Sequence, residues 1–270
     1  MRKGDAAIGV FDSGLGGLTV VREIAALLPA ERVIYFGDTA RIPYGTKSPD
    51  AVTRYALQAT AFLSTFNLKL MVVACNTASS LALSAVSEAA CVPVEGVIEP
   101  GCRAAASATK ARKIGVIGTE GTIQSGAYAA GIHAIDPACE VHSAATPLFV
   151  PMVEEGRISG EVPRLVAEEY LAPLLDKGID VLVLGCTHYP LLRGVLGEVA
   201  GPGVSLVDSA VTTAGRVRDV LAERNALAPA GRPGQHRFYV SDDPAKFAAV
   251  AGTFLGDAVG EADWVDIERY

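Results

Sequence analysis

The chain has 270 residues, half of them hydrophobic and a fifth charged, which excludes a largely disordered protein and leaves ample length for a core. The net charge of −7, from 23 basic and 30 acidic side chains, argues against a general nucleic-acid binder. No apolar run is long enough for a membrane span, and the charged residues 1–5 lead straight into a short apolar stretch closed by Asp12-Ser13-Gly14, unlike a signal peptide, so a cytoplasmic protein is expected.

Short apolar runs at 8–11, 33–36, 70–74, 114–117, 181–184, 205–207 and 237–240 read as strands. Amphipathic stretches at 18–28, 50–66, 79–90, 162–175 and 212–224 read as helices between them. Strand–helix alternation predicts an α/β fold with mainly parallel open sheets. In such sheets ligands sit beyond the carboxyl ends of the strands. Five strand ends here carry small polar residues or a thiol: Asp12-Ser13-Gly14, Gly37-Asp38-Thr39, Cys75-Asn76-Thr77, Gly118-Thr119 and Gly185-Cys186-Thr187-His188.

A faint internal echo accompanies this pattern. Residues 113–119 (KIGVIGT) repeat the character of 7–13 (AIGVFDS), and 181–188 (VLVLGCTH) that of 70–77 (LMVVACNT). Two similar α/β domains related by pseudo-twofold symmetry are expected, with a site in the cleft between them. One would comprise residues 1–98 with 209–270 and carry Asp12 and Cys75. The other would comprise 99–208 and carry Cys186 and His188. The Pro- and Gly-rich stretch 228–235 reads as a loop.

Five cysteines at wide spacing do not make a disulfide framework in a reducing compartment. Cys91, Cys102 and Cys139 read as small buried hydrophobes. Cys75 and Cys186 differ, because each closes an apolar strand and is expected to open a helix, where N–H groups favour a thiolate. Asp12 and His188 are the groups that could poise these thiols. Asp12 could instead be a plain helix cap. Two opposed thiols suit racemisation, in which a proton leaves one face of a carbon and another arrives on the opposite face. No Cys-x-x-Cys or other zinc spacing occurs, so no metal is expected. The glycine-rich loop 12–18 fits neither a dinucleotide fingerprint nor a Walker motif. Together with Asn76, Thr77, Thr119, Thr122 and Thr187, it offers hydrogen bonds suited to a carboxylate or an ammonium group, unless these residues only cap helices.

Six blocks carry a family resemblance: residues 9–18 (GVFDSGLGGL), 35–39 (YFGDT), 43–45 (PYG), 74–79 (ACNTAS), 147–156 (PLFVPMVEEG) and 185–192 (GCTHYPLL). In these the chain resembles the glutamate racemases. The resemblance implies a cofactor-independent enzyme that interconverts L- and D-glutamate to supply D-glutamate for peptidoglycan, often as a homodimer. By motif, Cys75 would act on the α-proton of D-glutamate and Cys186 on that of L-glutamate, assisted by Asp12 and His188 respectively. Asp12, Ser13, Pro43, Tyr44, Gly45, Asn76, Thr77, Thr119, Thr122, Thr187 and His188 would bind substrate. Glu154 would supply a site carboxylate, in preference to Glu155. The few residues before the first strand argue against the N-terminal extension through which some members are regulated by a cell-wall precursor.

Three alternatives stand beside this reading. A related racemase could act on aspartate or a hydantoin with the same paired-cysteine logic. A gyrase-inhibiting role, reported for some glutamate racemases, has no marked surface in this sequence. A redox sensor could use the two cysteines as a switch.

Overall fold

The computed structural model describes residues 6–231, 233–256 and 261–270. The reading of residues 1–5 as a charged, unprocessed N-terminus lies outside the described residues. Ten strands are described: β1 (Ala7–Asp12), β2 (Val33–Gly37), β3 (Leu68–Val73), β4 (Val94–Gly96), β5 (Lys113–Gly118), β6 (Glu140–Ala145), β7 (Val181–Gly185), β8 (Ser205–Asp208), β9 (Arg237–Val240) and β10 (Ala262–Trp264). Between them lie α1 (Leu18–Leu27), α2 (Pro49–Leu63), α3 (Asn76–Leu81), α4 (Leu83–Ala89), α5 (Ile98–Ala108), α6 (Glu120–Gln124), α7 (Ala127–Ile135), α8 (Phe149–Glu154), α9 (Glu161–Leu175), α10 (Arg193–Ala200), α11 (Ser209–Glu223) and α12 (Pro244–Leu255).

The strands form two sheets, in the orders β10-β9-β2-β1-β3-β4 and β6-β5-β7-β8. Every pairing in both is parallel. The internal echo now has a structural meaning. Strands β2-β1-β3-β4 correspond in order to β6-β5-β7-β8, so β1 matches β5 and β3 matches β7. The first sheet adds β9 and β10 beyond β2.

Side-chain alternation explains the layering. In β1, Ile8 and Val10 enter one buried cluster, while Ala7 and Phe11 enter another on the opposite face. In β7, Leu182 and Leu184 point into the first cluster and Val181 and Val183 into a third. The cluster that takes Ile8 and Val10 from the first sheet therefore also takes Leu182 and Leu184 from the second. Helix α11 packs against both α1 and α5 and contributes Ala210, Ala214 and Val217 to this shared core.

Several local expectations need correction. The helix expected over 79–90 is two helices that meet at Ala82, whose φ of −125° and ψ of −1° break the run. The first of them starts earlier, because the Cys75 side chain caps it by accepting from the Ala78 N–H at 3.5 Å. The helix expected over 50–66 ends at Leu63. No α-helix opens at Cys186: a short 3₁₀ turn, Tyr189–Leu192, follows instead. Cys102 and Cys139 are buried as expected, but Cys91 is exposed, because it follows α4 at the surface.

Candidate active site

The carboxyl ends of β1, β3, β5 and β7 converge on one cavity. Its walls come from Ser13 and Gly14 after β1, Ile42 to Gly45 after β2, Cys75 to Thr77 after β3, Thr119 after β5, Val150 and Glu154 on α8, and Cys186 to His188 after β7. Both thiols and nearly all the residues singled out from the sequence meet here. Two stand behind the wall. Asp12 is fully buried beneath it, and Thr122 supports Thr77 and Thr119 through its hydroxyl at 3.3 and 3.0 Å. Sequence reasoning missed Ile42 and Val150 as wall residues. Ile42 lies beside the 43–45 motif and Val150 within the 147–156 block, but an apolar side chain carries no chemical signal of its own.

Glycines let the loop after β1 come this close. A Cβ at Gly16 would stand 2.2 Å from Thr187 Oγ1 and 2.5 Å from His188 Nδ1, and one at Gly17 would stand 2.5 Å from Asp12 Cβ. Asp12 does not cap α1, whose N-cap is Gly17 without a side-chain bond. Its carboxylate instead accepts from the Gly14 N–H at 3.0 Å and from the Thr187 hydroxyl at 3.4 Å. Burial pushes the Asp12 carboxyl up, against the nearby His188 and the N–H groups of Gly17, Gly14 and Ser13, which pull it down.

The two thiols have unlike neighbours. Cys75 Sγ lies 3.5 Å from Ser13 Oγ. Burial, then the charge of Asp12, push its thiol up to about 12, although hydrogen bonds with Ser13 and the Ala78 N–H oppose this. The expectation that a helix start would poise Cys75 as a thiolate is opposed by burial, because α3 is only six residues long and desolvation outweighs its few N–H groups. Cys186 Sγ lies 3.8 Å from His188 Nδ1, and His188 Nε2 lies 3.2 Å from Glu154 Oε1. Burial alone would lower the imidazole. Its bonds to Cys186 and Glu154, with the charges of Cys186 and Asp12, win and raise it to about 10. Both neighbours thus favour the protonated imidazole, the form that can donate from both nitrogens.

Hydroxyls and amides complete the lining. Thr77 and Thr119 approach within 2.9 Å across the two sheets. Thr119 also caps α6, accepting from the Thr122 N–H, so capping and lining coexist in one residue. Tyr44 directs its phenol away from the cavity to the buried Asp38, which also accepts from Arg41 and Ser241. This bond fixes the 42–45 wall from behind.

The cavity between the thiols measures only about 30 Å³, room for about two waters. An outer cavity of about 290 Å³ shares Ile42, Pro43, Gly45, Thr119, Val150 and Glu154 with it and forms its mouth. A separate cavity of about 420 Å³ lies between the end of α1 and the 227–233 loop. Among the described residues that line it, the charged group, Glu31, is already committed to Lys69 and the Ala228 N–H. Among the described residues, no three His, Cys, Asp or Glu side chains gather to hold a metal ion, and no helix is long and apolar enough to cross a membrane.

Two parallel α/β halves that each bring a thiol to one shared cavity form a racemase fold. Comparison with known proteins agrees: residues 8–217 match the Asp/Glu/Hydantoin racemase family. A glutamate racemase of Geobacter metallireducens is 54% identical over 262 residues, covering 97% of each chain. The crystal structure of a glutamate racemase from Francisella tularensis in complex with D-glutamate superposes with a TM-score of 0.92 at 40% identity over the whole of both chains. An aspartate racemase homologue from Pyrococcus horikoshii shares the fold alone, with a TM-score of 0.60 at 16% identity, over 80% of this chain and 99% of its own. The chain belongs to the Asp/Glu/hydantoin racemase family and, within it, to the glutamate racemases.

Proposed function

We propose that this enzyme interconverts L- and D-glutamate without a cofactor, by proton transfer between Cys75 and Cys186. The observation that carries this reading is the placement of two buried thiols at corresponding strand ends of two matching sheets, both lining one cavity. One cysteine, as thiolate, takes the α-proton and becomes a thiol. The other, as thiol, protonates the opposite face of the carbanion and becomes a thiolate. Each turnover therefore leaves the two sulfurs with exchanged protonation, and loss of a proton to solvent from one and uptake from solvent by the other reset them for the next turnover in the same direction.

The neighbours divide the work. Asp12, beside Cys75, can take and return its proton. His188, held protonated by Glu154, can supply a proton to Cys186. A bound α-ammonium favours the anionic forms of Asp12 and Cys75, which burial disfavours. Ser13, Asn76, Thr77, Thr119, Thr187 and the 43–45 wall would bind the substrate. By family resemblance Cys75 would serve D-glutamate and Cys186 L-glutamate. In this reading the enzyme acts as a homodimer in the cytoplasm and supplies D-glutamate for peptidoglycan. The proposed domains are residues 1–98 with 209–270 and residues 99–208, with the cleft between their sheets.

The test is optical. Purified protein with EDTA and without pyridoxal phosphate is given L-glutamate or L-aspartate, and circular dichroism is followed. Decay with glutamate alone is expected. Decay with aspartate alone would keep the chemistry and overturn the substrate, and no decay with either would overturn the activity.

A further inference from the structure

Tyr128 lies on α7, beside the second sheet, and its side chain is buried. The ring occupies a slot. A Cβ at Gly101 would stand 3.1 Å from its Cε1, and one at Gly185 would stand 3.1 Å from its Cε2. Glycine at both positions is what lets the ring fit there. The hydroxyl oxygen of Tyr128 accepts a hydrogen bond from Asn76 Nδ2 at 2.8 Å. Asn76 comes from the other sheet, directly after Cys75.

With Nδ2 committed to Tyr128, the other end of the amide stands out. Asn76 Oδ1 is buried and has no hydrogen-bond partner. Such an oxygen is unfavourable unless a ligand brings a donor. Asn76 lines the cavity between the thiols, so a molecule bound there is placed to bring that donor. Both carboxylates of glutamate only accept hydrogen bonds at neutral pH, and the α-ammonium is its sole donor. We infer that Tyr128 is a positioning residue, fixing the Asn76 amide so that Oδ1 receives the α-ammonium of the amino acid. The inference rests on the amino-acid racemase reading above.

Tyr128→Phe keeps the ring in its slot and removes only the hydroxyl. The expected result is a KM for both glutamate enantiomers raised roughly ten-fold, with kcat within about two-fold, because the ammonium is held alike before and during proton transfer. In an Asn76→Ala background the same change should raise KM no further. Equal losses in both backgrounds, or a fall in kcat at constant KM, would overturn the assignment, since a general structural fault is indifferent to Asn76. A second measurement needs no substrate. The side-chain amide resonances of Asn76, identified by their absence in Asn76→Ala, should shift and exchange faster with water in Tyr128→Phe. Unchanged resonances would also overturn it. A wild type that turned over no glutamate would defeat the functional reading, and the resonance test would still decide whether Tyr128 holds the amide.

Discussion

In the proposed reaction Cys75 and Cys186 perform the same act with different neighbours, a carboxylate beside one and an imidazole beside the other. Cys75→Ser and Cys186→Ser should each slow racemisation at least a thousand-fold, since a two-base transfer needs both. Either variant should retain elimination of halide from a 3-chloroglutamate enantiomer, which needs one base. Racemisation at the wild-type rate in either variant would sink the scheme. Glu154→Gln removes a charged partner of His188, so the imidazole should titrate at lower pH. The alkaline limb of the kcat–pH profile should then move to lower pH. Stability follows the same group. Because folding raises His188 from 6.5 to about 10, its protonated form contributes fully below pH 6.5 and loses that contribution as pH rises towards 10. Thermal melts of the wild type should decline more steeply across this window than those of His188→Asn.

At the scale of elements, the glycine loop after β1 and helix α11 make opposite predictions for the same substitution. Gly16→Ala drives a methyl into Thr187 and His188 and should cut activity at least a hundred-fold, read as kcat/KM. Gly215→Ala, inside α11 with nothing within 4 Å, should leave activity intact and add about 0.5–1 kcal/mol of stability in urea unfolding. The elements legible in the sequence follow the same physical logic. The buried strands β1, β2, β3, β5 and β7 bury residues on both faces, so they read as continuous apolar runs. The unread strands β4, β6 and β10 all lie at sheet edges, where one flank is open and the residues are mixed, as in Glu140–Ala145. Cys75, Cys186 and their neighbours were legible because thiols and small polar residues at strand ends break the apolar pattern. Ile42 and Val150 were not, because an aliphatic wall looks like core until the fold brings it to the cavity, and Tyr128 was not, because its buried ring meets Asn76 only across the two sheets.

At the scale of the whole molecule, the cavity between the thiols is narrow and is walled by residues from both sheets, so substrate entry is expected to involve parting of the sheets. Parting would separate Thr77 from Thr119, which touch only across the cleft. Hydrogen–deuterium exchange at residues 76–78 and 119–122 should therefore slow when D-glutamate holds the cleft shut. Unchanged exchange would mean that substrate enters without opening. The unlike partners of the two thiols also meet a limit set outside the protein. Mirror-image amino acids have equal free energies in water, so the equilibrium constant is unity. The Haldane relation then obliges kcat/KM to be equal in the two directions, for the wild type and for every active variant. The contrast between Asp12 and His188 can express itself only in how each direction divides that shared ratio between kcat and KM, and in which enantiomer accumulates on the enzyme at steady state.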